Sequence, residues 1–244
     1  GGLKLNLTKL SDGSDQSITL VGDGSAGATF NLRVYRNATE FDDLLVKTDR
    51  DTSVDPAEID ASAETTPTLL ISGEDGDKLI GGSASDQLSG GGGDDVLDGG
   101  LGDDLLAGGA GSDTATFDNS SSSVDVDLAS GLASGEGSGN DMLTSVENVV
   151  GSNFNDTLSG NASNNTLSGG AGDDVLLGRG GDDTLIGGDG NDTASYGDIT
   201  TTITADMGAG TVEGDDTGSD TLVGIERIDA GSGDDVLKGS SGDD

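Results

Sequence analysis

One large apolar residue recurs at every ninth position through two stretches of the chain. The recurring positions are Leu79, Leu88, Leu97, Leu106 and Ala115 in the first stretch, and Leu158, Leu167, Leu176, Leu185 and Ala194 in the second. A single apolar residue between two neighbours of mixed character is typical of a short strand that buries one side chain. Glycine and aspartate fill most of each remaining unit, so the pattern predicts short strands joined by tight turns.

The nine-residue units are nested in a longer repeat. Units begin at 72, 81, 90, 99 and 108, then at 151, 160, 169, 178 and 187, and again at 230 and 239. The first units of these three blocks, at 72, 151 and 230, are evenly spaced and define the long repeat. Two intervening segments, 117–150 and 196–229, separate the blocks and resemble each other. Internal repetition at two periods predicts a solenoid.

Each intervening segment contains a degenerate copy of the nine-residue unit. VDVDL at 124–128 matches ITADM at 203–207. GSGNDMLT at 137–144 places Asp141 in the aspartate position of the unit, and Asp220 is its equivalent one long repeat later. We expect these segments to continue the solenoid, with wider coils or a small side hairpin.

The units follow the pattern G-G-x-G-x-D-x-U-x, in which U is a large apolar residue. Residues 90–116 read GGGGDDVLD, GGLGDDLLA and GGAGSDTAT. This pattern resembles the RTX, or haemolysin-type, calcium-binding repeat, and the resemblance covers roughly residues 72–244. It implies an all-β fold, a right-handed parallel β-roll (a β-solenoid) that binds several Ca²⁺ ions as its only cofactor.

The residue types of the unit suit calcium. Glycines allow sharp turns that point carbonyl oxygens inward, and the aspartate adds a carboxylate. Ca²⁺ accepts six to eight oxygen ligands, more than one turn supplies, so each ion must lie between stacked turns. Two units make one coil, which puts Asp95 and Asp113 in one row and Asp86 and Asp104 in the opposite row.

The candidate calcium ligands are the aspartates of the units and the glycines whose carbonyl oxygens the turns present. They are Asp77, Asp86, Gly91, Gly93, Asp95, Gly100, Gly102, Asp104, Gly109, Gly111, Asp113, Asp141, Asp156, Gly170, Gly172, Asp174, Gly181, Asp183, Gly188, Gly190, Asp192, Asp220, Gly233, Asp235 and Asp244. The units that begin at 72, 81, 151 and 160 depart from the pattern, and Asn165 replaces a carboxylate in the last of them.

The charge of the chain links calcium binding to folding. The chain has 47 acidic and 10 basic residues, a formal charge of -37, which opposes compaction and excludes nucleic acid as a partner. Each unit buries one Leu-sized side chain. The free energy gained by that burial is smaller than the entropic cost of ordering the nine residues of the unit. We therefore expect disorder without calcium, and folding and calcium binding as one event.

Catalysis and membrane insertion are not expected. The chain has no cysteine and no histidine, so thiol chemistry and the commonest general base are absent. Paired acids such as Asp94 and Asp95 recur in one repeated environment, whereas a catalytic pair needs environments that separate two pKa values. No apolar run approaches the ~20 residues of a membrane span.

Residues 1–71 lack the nine-residue unit and form a separate β-rich segment before the roll at 72–244. Alternation at 17–21 and 28–36 predicts strands, whereas 41–49 fits either a helix or a strand. The segment is either the end of a β-sandwich or irregular coils that continue the solenoid. The acidic stretch 49–60 partly fits an EF-hand loop, but Val54 replaces its glycine, which favours a solvated loop.

The resemblance implies a secreted bacterial protein, located outside the cell or on its surface after type I secretion. We expect a scaffold or spacer that folds on binding calcium. One alternative is an adhesin, surface-layer or filament building block that associates with itself or with other surface proteins through calcium. The other is an accessory module of a secreted polysaccharide-modifying enzyme or protease, for which Arg33, Tyr35, Arg36 and Lys47 are the only hint of polysaccharide contact. The chain begins without methionine and ends inside a repeat, so we expect it to be a piece of a longer protein.

Overall fold

The computed structural model describes residues 58–240, together with the strand backbones at 4–9, 16–21, 28–37 and 40–48. Strands and turns make up this part of the chain, and the predicted all-β fold is confirmed. Among the described residues there is no helix with the length and apolar character needed to cross a membrane. The EF-hand-like stretch and Asp244 lie largely or wholly outside the described residues.

Two of the described strands pair only with each other, and twelve form one of two large sheets. The pair is β1 (Lys4–Lys9) and β2 (Gln16–Val21), which are antiparallel. The twelve-stranded sheet contains β3 (Ala28–Asn37), β4 (Glu40–Thr48), β6 (Thr68–Ile71), β8 (Gln87–Gly92), β10 (Leu105–Ala110), β12 (Asp125–Asp127), β13 (Leu132–Gly135), β14 (Gly139–Thr144), β16 (Thr157–Ser159), β18 (Val175–Leu177), β20 (Thr193–Ser195) and β24 (Arg227–Asp229). The stretch that fitted helix or strand is therefore a strand, β4, and it pairs in parallel with β6.

The other large sheet has eleven strands among the described residues. It contains β5 (Glu58–Asp60), β7 (Lys78–Ile80), β9 (Val96–Asp98), β11 (Thr114–Thr116), β15 (Asn148–Val150), β17 (Thr166–Ala171), β19 (Thr184–Asp189), β21 (Ile203–Asp206), β22 (Thr211–Gly214), β23 (Gly218–Val223) and β25 (Val236–Lys238). From β5 to β11 the chain alternates between the two sheets strand by strand, as a flattened coil does.

Within a block of units, strands on one face of the coil pair in parallel at a constant offset in sequence. Leu88 lies beside Leu106 in one sheet, and Leu79 lies beside Leu97 in the other. This offset equals two nine-residue units, so each unit contributes one strand and one turn, and turns two units apart stack at the same edge. The parallel roll predicted from the repeat is confirmed.

The core is a single file of side chains between the two sheets. The apolar position of every unit from Leu79 to Leu185 is at most 1% exposed. The last unit of each block has Ala115 or Ala194 there, and Phe117 or Tyr196 is buried two positions later. A core this narrow holds few apolar contacts per residue, so the packing of backbone turns at the edges becomes important.

The two intervening segments add strands to the sheets. In the first, β12, β13 and β14 form an antiparallel run inside the twelve-stranded sheet, between β10 and β16. In the second, β21, β22 and β23 do the same inside the eleven-stranded sheet. The expectation of wider coils or a side hairpin is corrected, since the hairpins are part of the hydrogen-bonded sheets. The apolar side chains of VDVDL face inward, with Val126 fully buried.

Candidate calcium sites

The aspartates at position six of the units form hydrogen-bonded ladders along both edges of the roll. The backbone N–H of Asp77 donates to Oδ1 of Asp95 (2.7 Å), and the N–H of Asp95 donates to Oδ1 of Asp113 (2.8 Å). On the other edge the N–H of Asp86 donates to Oδ1 of Asp104 (2.7 Å). Each ladder step spans one coil, so the stacked turns of each row are held together by one oxygen of each carboxylate.

The second carboxylate oxygen is the unusual feature of the ladder. Among the described residues, eight aspartates accept a ladder hydrogen bond at Oδ1. In each case the donor is the backbone N–H of the position-six residue one coil earlier. In seven of them Oδ2 is buried and has no hydrogen-bond partner. These are Asp95, Asp104, Asp113, Asp141, Asp174, Asp183 and Asp192. A buried carboxylate oxygen without a partner is costly, which indicates that a cation belongs beside it.

The conformation at position two of a unit decides whether Oδ2 is free. In the six regular units with a free Oδ2, position two has a positive φ, and these residues are Gly91, Gly100, Gly109, Gly170, Arg179 and Gly188. In the four units that depart from the pattern, φ at position two is outside this region and the N–H turns inward. There it donates to the side chain at position six, as Gly82 does to Oδ2 of Asp86 (2.6 Å) and Asn161 to Oδ1 of Asn165 (2.8 Å).

Carbonyl oxygens of the next turn face the same space as the free carboxylate oxygen. A β-carbon built on Gly90 would collide with Oδ2 of Asp95 and lie 2.7 Å from the carbonyl oxygen of Gly108. A β-carbon on Gly169 would meet Oδ2 of Asp174 and the carbonyl oxygen of Gly187 in the same way. Oxygens from two successive turns therefore converge on one small space, which suits a hard cation such as Ca²⁺.

A known protein family matches the repeat region of the chain. The family described as the RTX calcium-binding nonapeptide repeat matches four segments, residues 80–115, 150–185, 159–194 and 220–244. The repeat region belongs to this RTX family. RTX nonapeptide repeats bind calcium and are structural modules typical of secreted proteins, so the predicted family and the predicted metal are confirmed. A search of curated proteins found no match to the chain.

Few carboxylates face each inter-turn space of the RTX turns. No point in the described part of the chain brings together three or more Asp, Glu, His or Cys side chains around one position. Beside Asp95 and Asp174 the inter-turn space has one free carboxylate oxygen and a carbonyl oxygen of a glycine in the next turn. Because Ca²⁺ takes six to eight oxygens, one carboxylate oxygen is not enough, and carbonyl oxygens of the turns or water would have to complete the set.

The remaining candidate ligands of the RTX region fall into three groups. The glycines predicted to shape the turns have a positive φ at Gly91, Gly93, Gly100, Gly102, Gly109, Gly111, Gly170, Gly172, Gly181, Gly188 and Gly190. Gly233 does not, although Oδ1 of Asp235 in the same unit accepts the N–H of Ile203 (3.0 Å). Asp77, Asp86 and Asp156 begin their rows, and Oδ2 of each accepts an N–H from its own turn, which leaves no free oxygen there.

Two ladder residues escaped the sequence analysis. Glu147 and Glu226 stand one long repeat apart, in VENV and IERI, and each ends a row of aspartates. The N–H of Asp113 donates to Oε2 of Glu147 (2.9 Å), and the N–H of Asp192 donates to Oε2 of Glu226 (2.8 Å). Their spacing from the preceding aspartate is 34 positions, whereas ladder steps within a block of units have 18, which hid them from a nine-residue count. Their identity across the long repeat was nevertheless a usable signal.

Asn165 continues the ladder where a carboxylate could not. Its amide Nδ2 donates to the carbonyl oxygen of Glu147 (2.7 Å), and its N–H donates to Oδ1 of Asp183 (2.7 Å). An aspartate at 165 would set a carboxylate against that carbonyl. The amide is therefore matched to its position, and Asn165 is a ladder residue even though it carries no charge.

Arg179 is the only non-glycine residue at position two with a positive φ among the described units. Its guanidinium forms two hydrogen bonds to the carboxylate of Asp127 (2.7 and 3.0 Å) and one to the carbonyl oxygen of Gly160 (2.8 Å). This bidentate pair lowers the pKa of Asp127 to about 2. The pair joins the first intervening segment to the following block of RTX units.

Burial raises the pKa of the ladder carboxylates. Desolvation is the main cause, and neighbouring carboxylates add to it, as Asp113 and Asp77 do for Asp95. The pKa is raised to about 6 for Asp95 and Asp174, about 7 for Asp141 and Asp183, and about 8 for Asp104. The ladder carboxylates are buried and lie close to one another, so each row favours either a bound cation or a proton.

We expect acid to replace calcium in part. The pKa values of the folded, metal-free ladder lie above the ordinary value of 3.8, so protonation stabilises the folded state. That contribution is fully present below pH 3.8 and is lost as the pH rises through about 6 to 8. In buffer stripped of metal, far-UV circular dichroism should show β-signal that grows as the pH falls through this range. A spectrum that stays flat over the same range would contradict the prediction.

Proposed function

We propose that this chain is a calcium-triggered folding module of a secreted protein. It stays unfolded where calcium is scarce and folds into the roll where calcium is abundant. The folded roll then serves as a scaffold or spacer between other parts of the secreted or surface protein. The family supports the calcium chemistry and the secreted setting, and the geometry of the ladder supports the coupling of calcium to folding.

The observation that carries the proposal is the set of seven buried carboxylate oxygens without a partner among the described residues. In the folded state without metal, each of these oxygens is removed from water and gains nothing in return. A Ca²⁺ ion beside each would supply the missing partner and bridge two turns. Because the inter-turn spaces exist only when turns are stacked, an ion that fills them binds the folded state alone and stabilises it by mass action.

The rows of charge make the response cooperative. Neighbouring ladder carboxylates repel each other, as Asp141 and Asp86 do with Asp104. An ion bound between two turns reduces this repulsion and holds both turns in the stacked conformation. The next turn of the row then docks on a formed surface, as in other repeat proteins where each unit contacts only its neighbours. A calcium concentration on the order of 10⁻⁴–10⁻³ M, the range of many extracellular modules, is the expected midpoint.

Assembly and catalysis are separate questions. Calcium that bridges molecules would make the chain a building block of a surface layer or filament, and the mass in solution decides between this and a monomeric spacer. We propose no catalytic role, because the ladder carboxylates recur at equivalent positions in successive coils, as expected of a structural repeat.

The test is a titration of the metal-stripped chain with calcium, followed by far-UV circular dichroism, with magnesium as the matched control. We expect a cooperative gain of β-signal with calcium and little change with magnesium, which demands octahedral geometry and retains its water. Light scattering after size-exclusion chromatography at both end points reports the mass.

Each outcome has a definite meaning. A monomer that folds with calcium supports the spacer, and a calcium-dependent rise in mass supports the assembly alternative. A β-rich spectrum that a strong chelator leaves unchanged at neutral pH would overturn the folding switch, since the roll would then be stable with its buried oxygens unpartnered.

A further inference from the structure

The two long repeats differ at one buried carboxylate. Asp141 and Asp220 stand one long repeat apart and occupy the same place in their intervening segments. Asp104 donates its N–H to Oδ1 of Asp141, and Asp183 donates its N–H to Oδ1 of Asp220, both at 2.9 Å. Both Asp141 and Asp220 are 1% exposed. The two sites therefore match in backbone and first oxygen, and any difference arises at the second oxygen.

Tyr196 makes that difference. Its hydroxyl donates to Oδ2 of Asp220 at 2.8 Å, and the ring is buried. The equivalent residue one long repeat earlier is Phe117, which is also buried but has no hydroxyl. Oδ2 of Asp141 has no hydrogen-bond partner. Of the eight ladder aspartates that the structure describes, Asp220 is thus the one whose second oxygen is satisfied by the protein itself.

A second oxygen in the intervening segments shows the same contrast. The hydroxyl of Ser138 is buried and has no hydrogen-bond partner. Its equivalent in the second long repeat, Thr217, donates its hydroxyl to the carbonyl oxygen of Gly218 (3.4 Å). The first intervening segment therefore has two polar oxygens that await a partner, and the described part of the second has neither.

We propose that the Tyr196 hydroxyl takes the place of a calcium ion at Asp220, so that the second long repeat has one calcium site fewer than the first. The position at Asp141 is open to calcium and the equivalent position at Asp220 is closed. This inference rests on the proposed calcium-dependent folding, and it assigns Tyr196 as the residue that keeps the metal from Asp220.

The physical reason lies in what calcium would have to displace. An ion that takes Oδ2 of Asp220 as a ligand must break its hydrogen bond to Tyr196. The tyrosine is 1% exposed, so its hydroxyl would be left buried without an acceptor. The loss of a buried partner of this kind corresponds to affinity that is about 10- to 100-fold weaker than at Asp141. At calcium concentrations that fill the other positions, Asp220 therefore stays closed.

A reciprocal pair of variants tests the proposal. Tyr196→Phe removes the hydroxyl and should open the Asp220 position, whereas Phe117→Tyr should close the Asp141 position. Phe154→Tyr adds a hydroxyl by the same substitution to a side chain that is 44% exposed, and it is the matched control. Equilibrium dialysis gives the number of bound ions. Relative to the parent chain, this number should be one higher for Tyr196→Phe, one lower for Phe117→Tyr and unchanged for Phe154→Tyr.

Anomalous scattering from crystals grown with calcium gives an independent readout. In the parent chain we expect a peak beside Oδ2 of Asp141 and none beside Oδ2 of Asp220. A peak beside both, or equal stoichiometry in the parent chain and Phe117→Tyr, overturns the proposal, whether or not Tyr196→Phe folds. A parent chain that binds no calcium would instead refute the proposed function, so the two failures are distinguishable.

Discussion

Gly188→Ala is expected to lower the free energy of unfolding of the calcium-loaded chain by roughly 2–6 kcal/mol. Gly188 has φ of 115°, a conformation in which an L side chain is strained. Its β-carbon would also collide with the carbonyl oxygen of Gly170 in the coil below and lie 2.9 Å from the carbonyl carbon. Both atoms belong to backbone, so neither can rotate away, and the two turns would have to separate.

Gly73→Ala provides the matched control for that prediction. Gly73 is also at position two of a unit, but it lies in the first turn of its row, has no positive φ and has no atom within 4 Å of an added β-carbon. Its substitution should change the free energy of unfolding by less than about 1 kcal/mol. Urea titrations of both variants in saturating calcium measure the difference. Equal losses for the two would show that the stacking of turns does not limit stability.

The nine-residue period was enough to predict the strands, the core and the rows of aspartates. The apolar position, the turn glycines and the carboxylate each recur at one offset, so a coil of two units places each of them in a row. Leu88 beside Leu106 and Asp95 beside Asp113 follow from this arithmetic alone. Local sequence and global fold agree here because every coil repeats the same contacts.

The sheet that each intervening segment joins is harder to predict from the sequence, although the length of the long repeat gives the reason for it. A coil consists of two units, and the long repeat is not a whole number of coils, so equivalent residues of the two long repeats do not lie on the same face. Leu106 is in the twelve-stranded sheet, whereas Leu185, its equivalent, is in the eleven-stranded sheet. The first intervening segment therefore adds strands to one sheet and the second adds strands to the other.

Side chains that respond to the intervening segments were beyond the reach of the repeat pattern. In the sequence Asn165 is only the replacement of a carboxylate, but in the structure its amide donates to the carbonyl oxygen of Glu147. Tyr196 aligns with Phe117 one long repeat earlier, and only the structure brings its hydroxyl to Asp220. Both contacts join residues of different turns. Their chemistry depends on how the added strands shift the register, which a local pattern does not contain.

The second large effect is expected for Leu176→Ala, which should lower the free energy of unfolding by about 2–5 kcal/mol. Leu176 is fully buried and lies between Leu158 and Ala194 in the twelve-stranded sheet. The core is one side chain wide between the sheets, so few neighbours can move in to fill the cavity. The alanine already present at 194 enlarges the space that the substitution would leave.

Leu101→Ala is the control for this cavity, because it removes the same atoms from a side chain that is 51% exposed in a turn. Its effect should stay within about 0.5 kcal/mol. Urea titrations of the two variants and the parent chain in saturating calcium provide the comparison. A loss at Leu176 near that of Leu101 would mean that bound calcium and the aspartate ladder hold the coils together with little help from the core. A loss of the expected size would show that the core contributes to stability even when calcium is bound. A core of one leucine per unit cannot by itself offset the entropy of ordering that unit, and calcium stabilises only turns that the core has already brought into register.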